Sequence, residues 1–331
     1  MKKLLLILSL NFYLLPTVSQ NNYLDFDGVN DYVDVPNSGV LISGANALSM
    51  TCKVYPKNVA PTWPDYDGIL GFRNDTNCDF YLIQLTASQV EGRFRNANGT
   101  AYTLTYNGLV LNQWNHFFLI YNGTTLKLYS GETEVASVSA SGSMPVSPTN
   151  TFQIGVMKYG TTLFYNKGYI DEVSLWNKAL NTGNISSIIA NSGEIVNALS
   201  ETQLKVYYKF NQGIAYGSNT GLTTLIDEKT TQNGTLINFG LIGTSSNWGS
   251  QSLNISDFST KPTLSIYPNP AENFLTISCQ NTIENIKILD STGRLILEQA
   301  SPKDIVSIAH LNSGSYLLVV NNTEVTRFIK K

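Results

Sequence analysis

A proline-rich loop at residues 56–67 carries the side chains best suited to bind a ligand. Trp63 and Tyr66 lie among polar neighbours, with Asp65 and Asp67 beside them, and three prolines stiffen the loop. Rigid, exposed aromatic rings cost little entropy to order on binding, and they can stack on a sugar ring. The two aspartates can accept hydrogen bonds from sugar hydroxyls. We therefore expect a ligand site here; the alternative is that Trp63 only covers the edge of a sheet.

The charge balance excludes several function classes. The 331 residues contain 21 Lys and Arg against 24 Asp and Glu, a formal net charge of −3. A nucleic-acid partner is therefore not expected, because phosphate binding needs clustered basic residues. With 2 histidines in the chain, a multi-histidine metal centre is excluded. His116 between Trp114 and Phe117 is expected to pack or to face solvent rather than to catalyse.

The first residues have the pattern of a signal peptide. Two lysines follow Met1, an apolar stretch covers 4–15, and small residues follow Pro16. The apolar stretch is too short for a permanent membrane span, and no later segment is long enough either. We expect residues 1–19 to be removed and the mature chain to have no transmembrane helix.

The cysteines of an exported protein raise the question of disulfides. Cys52 and Cys78 lie in the same half of the chain, whereas Cys279 is far away. A Cys52–Cys78 bridge is one expectation. The alternative is that all three cysteines pack as small buried hydrophobic residues.

Alternating apolar residues predict strands along almost the whole chain. Residues 23–26 and 32–35 read as one hairpin, and 117–121 with 126–129 as another. Leu48, Met50, Cys52 and Val54 alternate and form the predicted inner face of a third strand. Helical periodicity is brief, near 184–191. Many short strands separated by Asn-Gly turns favour a two-sheet sandwich or jelly roll.

A change of composition near residue 250 divides the chain. Residues 251–262 are rich in Ser, Asn and Thr without apolar periodicity, and read as a linker. Residues 263–331 again alternate, with strands predicted at 264–267, 274–278, 286–289, 294–298, 305–308, 316–320 and 325–329. We therefore expect a second, small β-sandwich after the main domain at 20–250.

The main domain resembles bacterial laminin G-like, concanavalin A-like jelly rolls over 22–190. The blocks that carry the resemblance are LDFDGVNDYV at 24–33, QWNHF at 113–117 with LKLY at 126–129, and GYIDEVSLWNKAL at 168–180. Residues 204–248 resemble a tail that is often appended to such domains. Trp114 and Trp176 lie in these blocks and are expected to pack in the core or at its edge.

The last part, 263–331, resembles the C-terminal sorting domain of the type IX secretion system. The blocks are YPNP at 267–270, DSTGR at 290–294, LNSGSY at 311–316 and the basic end RFIKK. The residues that match the motif are Pro268, Asn269, Pro270, Gly293, Arg294, Gly314 and Tyr316. The resemblance implies passage through the periplasm to the outer cell surface, with the secretion machinery as a partner and removal of this domain there.

These motif residues read as structural. Pro268 and Pro270 shape an irregular entry to the first strand, because proline fixes φ and cannot donate a hydrogen bond. Gly293 and Gly314 suit turns with positive φ. Arg294 is expected either to pair with Asp290 or to contact the secretion machinery.

The resemblance implies which residues an enzyme of this family would need for catalysis. Related glucanases carry Glu, Asp and Glu at alternating positions of one strand, so that acid and nucleophile face the same sugar. No such run occurs here. Pairs such as Glu132 and Glu134 are ordinary solvated strand positions. We therefore expect a binding protein rather than an enzyme.

A structural Ca²⁺ is the metal hypothesis that the residues support. Strict alternation breaks at Asp171 and Glu172, which predicts a bulge that buries a carboxylate. In the family that the chain resembles, the opening and closing strands are neighbours, so Asp27, with the carbonyl of Gly28, would meet Asp171 across them. Oxygen ligands suit Ca²⁺. The alternative is a hydrogen-bonded aspartate that caps the turn.

These observations predict a secreted, cell-surface module that recognises glycans or another extracellular component. One alternative is a polysaccharide hydrolase of the concanavalin A-like class, which needs two carboxylates about 5–10 Å apart on one face of a groove. Another is a purely structural surface protein.

Overall fold

The computed structural model describes residues 21–73, 78–251, 264–279, 282–290, 293–300, 304–321 and 324–331. The predicted signal peptide, 1–19, and the linker from 252 onward lie outside these residues. The chain divides into two compact units, one that ends at Gln251 and one that begins at Ser252. Both are built mainly of antiparallel strands, which confirms the predicted all-β class. No helix within the described ranges has the length and apolarity that a membrane span requires.

The first sheet of the first unit has the strand order β10-β9-β8-β3-β14-β1-β18, and β15 pairs with the second half of β14. Its strands are β1 (Asn22–Asp27), β3 (Leu48–Pro56), β8 (Asn115–Tyr121), β9 (Thr125–Ser130), β10 (Thr133–Ser139), β14 (Lys167–Trp176), β15 (Leu204–Tyr208) and β18 (Trp248–Ser250).

The second sheet has the order β16-β17-β2-β11-β4-β5-β6-β7, and a separate hairpin, β12–β13, accompanies it. Its strands are β2 (Tyr32–Val35), β4 (Asp67–Phe72), β5 (Phe80–Gln84), β6 (Val90–Arg95), β7 (Ala101–Tyr106), β11 (Phe152–Ile154), β16 (Thr224–Leu225) and β17 (Gly234–Ile237). The hairpin consists of β12 (Val156–Tyr159) and β13 (Thr162–Tyr165).

Apolar side chains from the two sheets form one core between them. The four alternating residues of β3, from Leu48 to Val54, are fully buried in it, as predicted. Cys52 and Cys78 are both free thiols buried in the same core, so the disulfide between them does not form. The two cysteines act as small hydrophobic residues, and burial raises the pKa of the Cys78 thiol to about 11. The side chain of Cys279 lies outside the described residues.

One predicted hairpin is present and one is wrong. β8 and β9 pair across a turn at 122–124, as the sequence indicates. β1 and β2 do not pair: β1 lies between β14 and β18, and β2 lies between β11 and β17 in the other sheet. The turn at 28–31 therefore crosses from one sheet to the other. β1 and β2 bury their apolar side chains in the same core, but from opposite sheets.

The segment predicted as an appended tail, 204–248, contributes strands to both sheets. β15 extends the first sheet beside β14, and β17 extends the second beside β2. β18 then pairs with β1, and its Trp248 is fully buried. A helix, α1 (Thr182–Ala190), lies where helical periodicity was predicted, and 3₁₀ turns occur at Ser38–Leu41 and Ala198–Ser200.

An outer layer covers the solvent side of the first sheet. Ile185 and Ile188 of α1 are buried in a cluster with Phe118 and Ile120 of β8 and with Trp176. The outward residues of β3 are consequently covered as well, and Lys53 is 8% exposed.

The second unit contains two small sheets around one core, as predicted. One has the order β19-β20-β23, with β19 (Leu264–Tyr267), β20 (Phe274–Cys279) and β23 (Ile305–Ser307). The other has the order β22-β21-β24-β25, with β21 (Asn285–Asp290), β22 (Leu295–Ala300), β24 (Gly314–Val320) and β25 (Glu324–Lys330). The seven predicted strands correspond to these seven elements to within two residues at each end.

Candidate functional site

The proline-rich loop holds Trp63 at the surface of the first unit. The indole is 57% exposed, and the Trp63–Pro64 peptide bond is cis. Thr62 and Asp65 form an isolated bridge on either side of it. This tight turn presents the ring outward.

A second surface element completes an aromatic cluster around Trp63. The β12–β13 hairpin brings Tyr159 and Phe164 to the loop, with ring centres 5.7 Å and 5.8 Å from that of Trp63. Tyr66 adds a third ring at 6.0 Å. All three meet the indole edge to face, the geometry that aromatic pairs favour. The neighbours therefore fix the orientation of Trp63 while leaving more than half of its surface free.

A pocket of about 280 Å³ lies beside this cluster. The outer face of β5 and β6 forms the floor of the pocket. The proline-rich loop and the β12–β13 hairpin form its walls. The side chains that line it are Trp63, Tyr66, Arg73, Tyr81, Ile83, Leu85, Glu91, Arg93, Tyr159 and Phe164. The structure thus brings the predicted Trp63 and Tyr66 together with polar groups from the sheet.

Charged and hydroxyl groups in the pocket form a chain. Arg73 donates from Nη1 to the Tyr81 hydroxyl at 2.5 Å, and its guanidinium carbon lies 4.9 Å from the Tyr81 ring centre and 4.8 Å from that of Tyr159. Tyr81 in turn donates to Glu91 at 2.8 Å, and Glu91 pairs with Arg93 at 3.1 Å. Burial raises the pKa of Tyr81 above its ordinary value, so its hydroxyl stays protonated and can donate.

The two predicted aspartates of the loop have different environments. Asp65 is exposed beside Trp63 but does not line the pocket. Asp67 is 1% exposed, and its carboxylate accepts hydrogen bonds from Asn58 Nδ2 at 2.6 Å and from the Lys167 amide at 2.7 Å. Burial raises the pKa of Asp67 to about 6. Its role is to hold the loop onto β4 and β14, so the expectation that it meets a sugar hydroxyl does not fit its position.

The predicted calcium ligands do not come together. β1 and β14 are neighbours, as expected, but Lys167 is the residue opposite Asp27. Asp171 lies four residues farther along β14, about 13 Å away at the rise of a strand. The register therefore does not bring the side chains of Asp27 and Asp171 to one point. No cluster of three or more His, Cys, Asp or Glu side chains that could hold a metal ion occurs among the residues the structure describes.

Asp27 and Gly28 instead shape the turn between the two sheets. Asp27 Oδ1 accepts hydrogen bonds from the amides of Val29 at 2.8 Å and Asn30 at 3.4 Å. Gly28 has φ +79°, and a Cβ there would lie 2.7 Å from Cβ of Lys167. This is the turn-capping alternative that the sequence left open.

The bulge predicted at Asp171 and Glu172 is present. The β14–β3 register shifts between Asp171 and Ser174, and Glu172 has φ +51°. Asp171 is fully buried, and Lys53 Nζ lies 3.3 Å from its Oδ2. Lys53 is thus a partner of the kind that a buried carboxylate requires.

A second buried carboxylate completes this group. Tyr207 donates a short hydrogen bond to Glu172. Burial and the neighbouring Asp171 raise the pKa of Glu172, and burial raises the pKa of Asp171 although Lys53 opposes it.

His116 packs on Phe118 with ring centres 4.5 Å apart, and burial lowers its pKa to about 3, so it remains neutral.

In the second unit most of the motif residues have the structural roles expected of them. The peptide bonds before Pro268 and Pro270 are cis, and the Asn269 side chain between them accepts from the Ile329 amide at 2.9 Å. Gly293 has φ +84° in the β21–β22 turn, and Arg294 pairs with Asp290 at 3.0 Å.

Two further motif residues lie at the start of β24. Tyr316 stacks on Phe328 with ring centres 5.5 Å apart and donates to the Asn312 carbonyl at 3.0 Å. Gly314 differs from expectation, because it begins β24 in register with Lys330 instead of forming a turn with positive φ.

Family models match both units. Residues 27–186 match the concanavalin A-like lectin/glucanases superfamily in its laminin G-like form. Residues 265–331 match the secretion system C-terminal sorting domain. The chain joins a concanavalin A-like domain to a sorting domain. Sorting domains of this kind direct proteins through the type IX system, so the protein is exported to the cell surface or beyond it.

Several solved structures are similar to this chain. A proposed carbohydrate-binding protein from Bacteroides ovatus is 17% identical, with a TM-score of 0.52; the match covers 72% of this chain and 63% of that one. The CBM40 module of Ruminococcus gnavus IT-sialidase, bound to α2,3-sialyllactose, is 14% identical, with a TM-score of 0.41 and coverage of 50% and 97%. A pentraxin from Limulus polyphemus is 12% identical, with a TM-score of 0.36 and coverage of 51% and 82%. A search of curated proteins gave no match.

The sequence did not point to most of the pocket of the concanavalin A-like domain. Tyr159 and Phe164 come from a hairpin about 100 residues after Trp63, and nothing local links the two segments. Glu91 and Arg93 do carry a signal, because they alternate on one face of β6. An alternating pair of opposite charges is, however, also typical of a solvated strand.

Proposed function

We propose that this exported protein binds carbohydrate outside the cell, and that its concanavalin A-like domain holds a saccharide in the Trp63 pocket. The observation that carries the proposal is the indole of Trp63, which is mostly exposed yet fixed in orientation by three neighbouring rings. A large exposed aromatic ring costs solvation free energy in the unbound protein. A sugar ring stacked on it removes that cost.

The pocket combines the two kinds of contact that saccharides require. Trp63 and Tyr159, 57% and 50% exposed, offer apolar faces to the C–H side of a sugar. Arg73 and Arg93 offer donors for its hydroxyl and ring oxygens. The pocket is small compared with the usual 300–1,000 Å³ of ligand sites. We therefore expect weak binding, with a Kd of about 10⁻⁴ to 10⁻³ M per site, and surface clustering would strengthen it by avidity.

Binding is favoured over hydrolysis by the carboxylates of the pocket. Glycosidases need two carboxyl groups about 5–10 Å apart across the scissile bond. Among the described residues that line the pocket the one carboxylate is Glu91, which pairs with Arg93 and accepts a hydrogen bond from Tyr81. Asp65 lies outside the lining and Asp67 is buried. This arrangement supports a site that holds a sugar without cleaving it.

A glycan array probed with the full chain tests the proposal. Wild type should bind a subset of glycans, and Trp63→Ala should lose that binding while its circular dichroism stays unchanged. Tyr267→Ala is the matched control, because Tyr267 is 58% exposed but lies in the sorting domain, and it should bind like wild type. Binding that survives Trp63→Ala, or release of reducing ends from a bound polysaccharide, would contradict the proposal.

A further inference from the structure

Arg73 lacks a carboxylate partner among the described residues of the pocket. Its guanidinium lies between the rings of Tyr81 and Tyr159, and it donates a hydrogen bond to the Tyr81 hydroxyl. Its Nε is buried and makes no hydrogen bond in the described part of the chain. A half-buried guanidinium that bonds only to a neutral hydroxyl is costly, and an anion at its accessible amino groups would lower that cost.

The other charged groups of the pocket do not neutralise the positive charge of Arg73. Glu91 is already paired with Arg93 at 3.1 Å and accepts from Tyr81 at 2.8 Å. Among the described lining residues two guanidinium groups therefore accompany one carboxylate, which gives these residues a net charge of +1. The whole chain has a formal net charge of −3, so this excess is local to the pocket.

We propose that the pocket selects an acidic saccharide, with Arg73 and Arg93 binding a carboxylate or sulfate group while Trp63 stacks on a sugar ring; this inference rests on the proposed function. Guanidinium groups suit such anions because their planar fork can donate two parallel hydrogen bonds. The two tyrosine rings hold the Arg73 guanidinium in place, so that little side-chain entropy is lost when an anion binds.

Arg73 also lines a neighbouring cavity. This second cavity has a volume of about 340 Å³ and a polar lining that includes Thr149, Thr151 and Gln153. Arg73 thus stands between an aromatic pocket and a polar one. A polymer that carries one acidic group at Arg73 could place a further sugar in the polar cavity. The geometry therefore fits an acidic polysaccharide better than a single acidic sugar.

Matched polymers test the proposal with the full chain at low and moderate salt. Polygalacturonate is compared with its methyl ester, which has the same backbone without the carboxylate charge. Dextran sulfate is compared with dextran, which lacks the sulfate. We expect tighter binding to the charged member of at least one pair, and that pair identifies whether carboxylate or sulfate is the natural group.

Three variants assign the effect to Arg73. Arg73→Gln should weaken binding to the charged polymer by about 10-fold to 100-fold, the usual loss for a charged hydrogen bond. Arg73→Lys should bind more tightly than Arg73→Gln but less tightly than wild type, because lysine keeps the charge but lacks the planar fork of the guanidinium. Lys127→Gln removes the same charge from β9, where Lys127 pairs with Glu134 at 2.8 Å, and it should bind like wild type.

The outcomes separate the two proposals. Equal binding to charged and neutral polymers, lost in Trp63→Ala but not in Arg73→Gln, overturns the acidic selectivity and leaves carbohydrate binding intact. Equal loss in Arg73→Gln and Lys127→Gln shows diffuse charge attraction and also overturns the selectivity. Binding that none of the pocket variants alters overturns both proposals.

Discussion

The guanidinium carbon of Arg73 lies 4.8 Å from the centre of the Tyr159 ring. Arg73 follows β4 directly, whereas Tyr159 ends the first strand of the β12–β13 hairpin. This contact joins the end of β4 to the hairpin that also carries Phe164. The pocket depends on that junction, because without the hairpin Trp63 would lose two of its three aromatic neighbours.

Tyr81 should position the charged groups of the pocket. Tyr81→Phe removes the hydroxyl that accepts from Arg73 and donates to Glu91. We expect a weaker affinity for the bound saccharide and a loss of about 1 kcal/mol of unfolding free energy. Calorimetric titration and urea unfolding measure the two effects.

The control for this change is Tyr102→Phe. Tyr102 hydrogen-bonds Ser141 at 3.0 Å at an exposed position outside the pocket, so its loss should leave the affinity unchanged. If Tyr81→Phe binds as tightly as wild type, the hydroxyl does not organise the site.

The predictability of the fold from the sequence rested on strand alternation and turn chemistry. The buried face of β3, the β8–β9 hairpin and the seven strands of the sorting domain are all local patterns, and the structure confirms them. The pairing of β1 and β2 is wrong for a physical reason. Alternation shows that each strand has one buried face, but it does not show which sheet completes that face.

The site was predictable only in part. Trp63 and Tyr66 stand out because aromatic residues in a stiff polar loop have nowhere nearby to be buried. Asp67 looked equivalent to Asp65, yet it begins β4 and is buried by contacts with Asn58 and Lys167. The break at Asp171 correctly indicated a bulge with a buried carboxylate. Its partner, Lys53, lies 118 residues away, and local patterns do not reveal such contacts.

Lys53 should be essential to the stability of the first unit. Lys53→Met leaves the Asp171 carboxylate buried without a cation, and we expect it to lower the unfolding free energy by about 3–5 kcal/mol. Combining it with Asp171→Asn should restore much of the loss, because an amide carries no charge. Urea unfolding of the two variants measures this. Additive losses in the double variant would contradict the pairing.

Stability should fall as the pH rises above about 6.5. Burial raises the pKa values of Asp171, Glu172 and Asp25, the last to about 7. The folded state therefore retains protons that the unfolded chain has released, and its advantage is lost as the pH passes through the raised values. His116 does not contribute in this range, because its pKa is lowered and the unfolded residue is neutral above about 6.5.

Glu172→Gln isolates one of these groups. The amide can still accept the hydrogen bond from Tyr207 but does not ionise. We expect the decrease in unfolding free energy from about pH 6.5 to about pH 8.5 to shrink by about 1 kcal/mol or more. Glu132→Gln is the control, since Glu132 is exposed and should leave the pH profile as it is. An unchanged profile in Glu172→Gln would show that Glu172 ionises normally.

The sorting domain should be necessary for export across the outer membrane. A chain that lacks 263–331 should accumulate in the periplasm, because that segment carries the sorting signal. Cell fractionation beside the full-length chain measures the distribution. Equal amounts of both chains at the surface would be incompatible with this role.

Fluorescence quenching by acrylamide tests the central claim most directly. Of the four tryptophans, Trp176 and Trp248 are buried and Trp114 is half-buried, so Trp63 should dominate the quenching. A saturating saccharide, chosen from the glycan array, should reduce quenching in wild type and have little effect in Trp63→Phe. Equal protection in Trp63→Phe would place the saccharide elsewhere on the protein and contradict the account.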